Sequence, residues 1–127
     1  MLGILISGLG LALLARLLIA AGEFDAARQR LKIALDLAAD TGMHFYDAEL
    51  LRLRAHTTDV AAQQHADLTA AVDLARIQDA RLFELRAALD HFEMSADAGR
   101  PALARAVAIF PADSAWPELV RARTLLG

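Results

Sequence analysis

The chain of 127 residues is long enough for one domain, and 57% of its residues are hydrophobic although only 6% are aromatic. Its apolar content is mainly Ala and Leu, which lose little entropy in a helix, so the composition favours an all-α fold. The formal net charge of -3 provides no basic field, so we expect no nucleic-acid binding by this segment. The absence of cysteine excludes disulfides and thiolate metal sites and agrees with a cytoplasmic location.

The first predicted helix lies in an apolar run. Residues 1–15 carry no charge, and the run continues past Arg16 to Ala21. About 20 apolar residues cross a bilayer, so the alternative to a soluble module is a small membrane-associated protein anchored by residues 1–21. Glycines weaken that helix and Arg16 interrupts it, so we expect a buried repeat helix and no membrane contact. If its outer face has no neighbour, this helix would favour self-association.

Turn signals divide the rest of the chain into helices. The apolar positions from Phe24 to Asp40 follow the 3.6-residue period of a helix, and Gly42 suits the left-handed position after it. Further helices are predicted at about 44–56, 60–78, 80–98, 101–110 and 117–126. We expect Thr58 or Asp59 to cap the helix that follows them. We also expect Gly99-Arg100-Pro101 to end one helix and begin the next.

An internal repeat relates two parts of the chain. The stretch Ala34-Leu35-Asp36-Leu37-Ala38 recurs 37 positions later as Ala71-Val72-Asp73-Leu74-Ala75. In the same register Phe45-Tyr46-Asp47 aligns with Leu82-Phe83-Glu84, and a fainter third copy places Leu119-Val120 on Leu82-Phe83. A period of this length is typical of a solenoid of helix pairs.

The repeat therefore predicts one domain over residues 1–127, built from about six to seven helices. We expect antiparallel helical hairpins stacked as a right-handed solenoid like that of tetratricopeptide repeats. The hairpins are placed at about 8–40, 44–78 and 80–110, with a capping helix at 115–126.

Part of the chain resembles a tetratricopeptide repeat. The consensus positions for glycine, an aromatic residue and small or apolar residues match Gly22, Phe24, Ala27, Leu31 and Ala34, with Ala15 at the upstream small position. Over most of its length the chain is similar to the C-terminal helical region of bacterial multidomain signalling ATPases. Those proteins join an ATPase core to the DNA-binding domain of LuxR-type transcriptional regulators or to an adenylate-cyclase-like domain.

The stretches TGMHFYDAELLRLRA and ARLFELRAAL carry this second resemblance. The chain departs from that region in the turn at 56–60 and at Trp116-Pro117. It contains no Walker A loop, helix-turn-helix or cyclase sequence, so the resemblance implies only an interaction role. We therefore expect a non-catalytic protein–protein interaction module with a protein or peptide partner.

Few side chains suggest chemistry. Four histidines are candidate general bases or metal ligands, and none has the spacing of a known ligand motif: His44, His56, His65 and His91. Asp90, Glu93 and Asp97 would form one acidic stripe on a helix, for which a solvated face is the favoured interpretation over a weak cation site. We predict no catalytic residue, no cofactor and no metal.

Aromatic and arginine side chains define a candidate partner-binding face. Its members are Tyr46, Arg52, Arg54, Phe83 and Arg86, and together with Arg81 the arginines could bind an acidic peptide. The favoured alternative is structural: the aromatic rings would be wedges between hairpins, and the arginines would pair within their helices with Asp47, Glu49 and Glu84.

Overall fold

The structure is a computed structural model that describes the backbone of residues 2–127 and the side chains from residue 8 onward. The start of the predicted apolar run lies outside the described residues. All regular structure in the described part is α-helical, which confirms the predicted all-α class. Its helices are α1 (Leu2–Ala20), α2 (Phe24–Thr41), α3 (Asp47–Ala55), α4 (Ala61–Ile77), α5 (Arg81–Met94), α6 (Ala96–Ala108) and α7 (Pro117–Leu126). Among the described residues, none of the helices combines the length and the apolar character needed to cross a bilayer.

The start of α3 and the cap of α4 differ from the predictions. Helix α3 begins at Asp47, not at His44, because a turn precedes it in which the Asp47 N–H donates to the His44 carbonyl at 3.3 Å. The prediction that Thr58 or Asp59 caps α4 is wrong, since Val60 is its N-cap residue. Thr58 instead stabilises the turn, where its Oγ1 accepts a hydrogen bond from the Val60 N–H at 3.1 Å.

The predicted break at Gly99-Arg100-Pro101 is also wrong. Ser95 separates α5 from α6, and Gly99 and Pro101 both lie within α6. Gly99 is buried where the two helices cross, and a Cβ atom added there would lie 2.5 Å from the backbone nitrogen of Phe92. This glycine therefore permits close helix packing and does not form a turn.

Each helix packs against its sequence neighbours, and alternate helices also touch. Helix α1 contacts α3, α3 contacts α5, and α5 contacts α7. Alanine makes up about half of the members of two apolar clusters, and at these positions the helix backbones can approach closely. The N-terminal cluster contains Ala12, Ala15, Leu31, Ala34, Leu50 and Leu53. The larger C-terminal cluster contains Ala71, Val72, Leu85, Ala87, Ala88, Leu89, Phe92, Leu103, Ala106, Leu119 and Ala122.

Positions 37 residues apart have equivalent environments in α2 and α4. Leu31 and Leu68 are buried at the same place in the two helices. The residues that follow the helices are equivalent too, because Gly42 (φ 73°) and Asp79 (φ 55°) both adopt the left-handed conformation. The shift visible in the sequence thus also relates side-chain burial and backbone conformation.

Gly99→Ala is expected to lower the free energy of unfolding by about 1–3 kcal/mol, because the new methyl group would meet backbone atoms that cannot rotate away. Gly10→Ala is the matched control, since nothing lies within 4 Å of an added Cβ at that helical position. The control is expected to be neutral or to stabilise by up to about 1 kcal/mol. Urea unfolding followed by circular dichroism compares the two, and equal stabilities would contradict the close approach at Gly99.

Candidate functional site

The two predicted aromatic residues lie against each other between α3 and α5. Tyr46 is the N-cap residue of α3 and Phe83 lies in the first turn of α5. Their ring centroids are 6.4 Å apart at an interplanar angle of 48°, and both side chains are half-buried. The pair therefore packs one helix on the next while leaving part of each ring accessible.

Arg52 joins α3 to α5 through a partly buried network of charges. Its Nη1 donates to Asp90 Oδ2 at 2.9 Å, and its Nε donates to Glu49 Oε2 at 3.1 Å. A second guanidinium nitrogen, Nη2, also donates to Glu49. His56 Nε2 lies 2.7 Å from the same oxygen of Asp90. The Arg52 side chain is only 15% exposed, so this predicted partner-binding residue is engaged within the chain.

The charges in this network stabilise one another. Burial opposes the charged form of Arg52, but hydrogen bonds and charges from Glu49 and Asp90 outweigh it and raise the arginine pKa. Burial likewise opposes ionisation of Asp90, yet the hydrogen bond from His56 and the charge of Arg52 hold its pKa below the usual range. The ion pair with Arg52 therefore stabilises the fold at neutral pH, and this contribution is lost on acidification through the lowered pKa.

The other predicted arginines pair between helices. Arg54 Nη2 donates to Asp67 Oδ1 of α4 at 2.7 Å. Arg86 Nε donates to Glu118 Oε2 of α7 at 3.2 Å, with the arginine side chain 35% exposed. Of the pairs expected within single helices, that of Arg52 with Glu49 is present.

Arg81 and the two remaining carboxylates have other local partners. Arg81 pairs with Asp79 at 3.4 Å, just before α5. Asp47 lies 2.7 Å from His44. Glu84 is buried and lies 3.6 Å from Arg76 of α4. The predicted face is therefore divided: Tyr46 and Phe83 meet, whereas the arginines point to separate carboxylates.

Two histidines that are distant in sequence come together between α4 and α5. His65 Nδ1 lies 2.9 Å from His91 Nε2, and the ring centroids are 4.8 Å apart. His91 is buried, and burial followed by the neighbouring His65 lowers its pKa. Spacing within one helix could not reveal this pair, because the two residues lie on different helices.

The predicted acidic stripe does not lie on a single helix. The break at Ser95 places Asp97 on α6, whereas Asp90 and Glu93 remain on α5. Asp90 binds Arg52 and His56, and Glu93 pairs with Arg121 of α7. Within the described part of the chain, no group of three or more His, Asp or Glu side chains is arranged to hold a metal ion.

Comparison with family models, with curated proteins and with solved structures gave no significant match for this chain.

Arg52→Met is expected to cost about 3–5 kcal/mol of folding free energy, because it leaves two partly buried carboxylates without their cation. Arg81→Met removes the same charge from an exposed pair and is expected to change stability by less than about 0.5 kcal/mol. Urea unfolding near neutral pH measures the difference. A similar cost for both variants would show that the network contributes nothing beyond a surface ion pair.

Proposed function

We propose that the chain is a non-catalytic protein–protein interaction module that resembles the TPR-like tail of bacterial signalling regulators. One observation carries the proposal: the odd-numbered helices contact one another in order, α1 with α3, α3 with α5, and α5 with α7. In a solenoid of helix pairs, the first helices of successive pairs form such a layer, and partners usually bind on the concave surface of the solenoid.

The repeat places three apolar residues at equivalent positions along this layer. Tyr46, Phe83 and Val120 occupy equivalent positions, each separated from the next by 37 residues. The rings of Tyr46 and Phe83 are in contact, and Val120 on α7 is 49% exposed. We refer to these three residues as the apolar line. Because single exposed apolar residues are common, it is their alignment across three helices that favours a shared binding surface.

The charge beside the apolar line indicates the chemistry of the partner. Arg86 lies on α5 near Phe83 and is held by Glu118 at 3.2 Å, while a third of its side chain stays exposed. A carboxylate from a partner can replace or join Glu118 at this guanidinium without exposing a buried charge. We therefore propose a peptide or protein segment that presents apolar side chains with an acidic group beside them.

Val120→Glu is expected to weaken partner capture by about tenfold or more, since it places a charge in the apolar contact. Ile77→Glu is the matched control, because Ile77 is 82% exposed and lies on α4, away from the apolar line. Both variants would be used as immobilised bait in extracts of the native cells, with captured proteins quantified by mass spectrometry. Equal loss in both variants, or no loss with Val120→Glu, would contradict the assigned surface.

We also propose self-association through α1. Its face opposite the buried Ala12 and Ala15 exposes leucines that carry no adjacent negative charge: Leu9, Leu13, Leu14 and Leu17. Burial of such a surface against a second copy would remove apolar area from water. The described leucines alone form a patch of a few hundred Å², which supports a weak dimer and not an obligate one.

Leu17→Glu is expected to shift the chain toward monomer, because Leu17 is the most exposed of these leucines at 69%. Light scattering after gel filtration over a series of protein concentrations would show the change in mass. Ile33→Glu, on the exposed side of α2, serves as the control of equal charge. A monomeric mass for the unaltered chain at every concentration would remove this proposal without affecting the one on the apolar line.

A further inference from the structure

A cleft of about 280 Å³ with polar and apolar lining residues lies between α4, α5 and α6, and no residue of the apolar line is part of its lining. The histidine pair lies at this cleft, and two arginines line it as well. Its polar lining residues are His65, Thr69, Asp73, Arg76, His91 and Arg105. Three kinds of side chain that bind oxyanions in proteins are present there: guanidinium, imidazole and hydroxyl.

The two arginines differ in how far the chain neutralises them. Arg76 lies 3.8 Å from Asp73 and 3.6 Å from the buried Glu84, both beyond hydrogen-bond distance. The Nε of Arg76 and the Oε2 of Glu84 are both buried without a hydrogen-bond partner. Arg105 is exposed on α6 and, among the described residues, forms no ion pair with a carboxylate. The cleft therefore holds one guanidinium that is incompletely bonded and one that no carboxylate neutralises.

The histidine pair can add a positive charge to this cleft. At 2.9 Å, a protonated ring nitrogen of one histidine can donate to an unprotonated ring nitrogen of the other, and the tautomers decide which ring is the donor. A single added proton on an outer ring nitrogen keeps that hydrogen bond and makes the pair cationic. Arg76 and Asp73 on α4 and Arg105 on α6 line the cleft with the pair, and Glu84 on α5 lies 3.6 Å from Arg76. With the histidines neutral these four charges cancel, so the added proton gives the cleft a net positive charge.

We infer that this cleft binds an oxyanion, a phosphate or carboxylate group, together with one proton taken up by the histidine pair. Arg105 and Arg76 bind the anion, and the protonated pair completes its neutralisation. The same arginines disfavour a metal cation, although two imidazoles are common metal ligands. Because burial disfavours the charged form of His91, the anion supplies the countercharge that allows the protonated pair to form.

Two probes distinguish the sources of the anion: tripolyphosphate for a free phosphate compound, and a blocked tetraglutamate peptide for an acidic protein segment. Calorimetry in two buffers of different ionisation enthalpy measures affinity and proton uptake. We expect saturable binding of at least one probe at about pH 6, weaker by about tenfold or more at about pH 8. We also expect the ring C–H signals of His65 and His91 to shift in proton NMR spectra on binding.

Three exposed positions provide the variants. Arg105→Gln is expected to lower affinity by about tenfold or more, the loss typical of a charge-assisted hydrogen bond. His65→Gln should remove most of the pH dependence while leaving the fold intact, because this side chain is exposed. Arg30→Gln on α2 removes the same charge far from the cleft and should retain affinity.

Two sets of results would overturn the inference. One is the absence of saturable binding by both probes at about pH 6. A titration with Zn²⁺ in which the metal shifts the histidine signals and neither anion does so belongs to this set. The other is equal weakening by Arg30→Gln and Arg105→Gln, which would indicate attraction to overall charge. Neither result depends on the apolar line, because none of its three residues lines the cleft.

Discussion

The fold depends on close approach between helices whose contact surfaces are mostly alanine. Each buried alanine removes little apolar area from water, so many such contacts must be made at short range to stabilise the chain. Ala15 against Leu31 and Ala34, and Gly99 against Phe92, are examples at the two ends of the molecule. The contacts between alternate helices, and hence the surface proposed for a partner, follow from this packing.

Helix surfaces made of alanine can pack together in several alignments, and pairs of polar groups between the helices favour one of these alignments. Arg52 reaches from α3 to Asp90 on α5, and Arg86 reaches from α5 to Glu118 on α7. Arg54 similarly joins α3 to α4 through Asp67. From the sequence, these arginines are predicted to form either a candidate binding face or pairs within single helices. Their interhelical carboxylates give most of them a structural role, and Arg86 alone among the three lies beside the proposed apolar line.

Local signals in the sequence were sufficient for several helix boundaries and for the repeat. Phe24 begins α2 and Pro117 begins α7 as predicted, because a glycine turn lies just before α2 and proline suits the first turn of α7. The shift of 37 residues was visible in the Ala-Leu stretches, and the structure extends it to Gly42 and Asp79. An aspartate in the left-handed conformation is uncommon but tolerated, so only the repeat could have indicated it.

The features that the sequence analysis missed depend on contacts between distant residues. Gly99 and Pro101 form the strongest local turn signal in the C-terminal half, yet the crossing of α5 and α6 places both within a helix. The pairing of His65 with His91 spans 26 residues and involves two helices. No spacing rule connects such positions, because their distance is set by how α4 packs on α5.

The network at Arg52 also determines which alignment of α3 on α5 is permitted. Sliding one helix along the other by a single turn, about 5.4 Å, would still bring small side chains into contact. That shift would separate the guanidinium from Asp90 and leave partly buried carboxylates without a cation. Competing compact arrangements with similar apolar contact are therefore raised in free energy relative to the native one, which reduces frustration during folding.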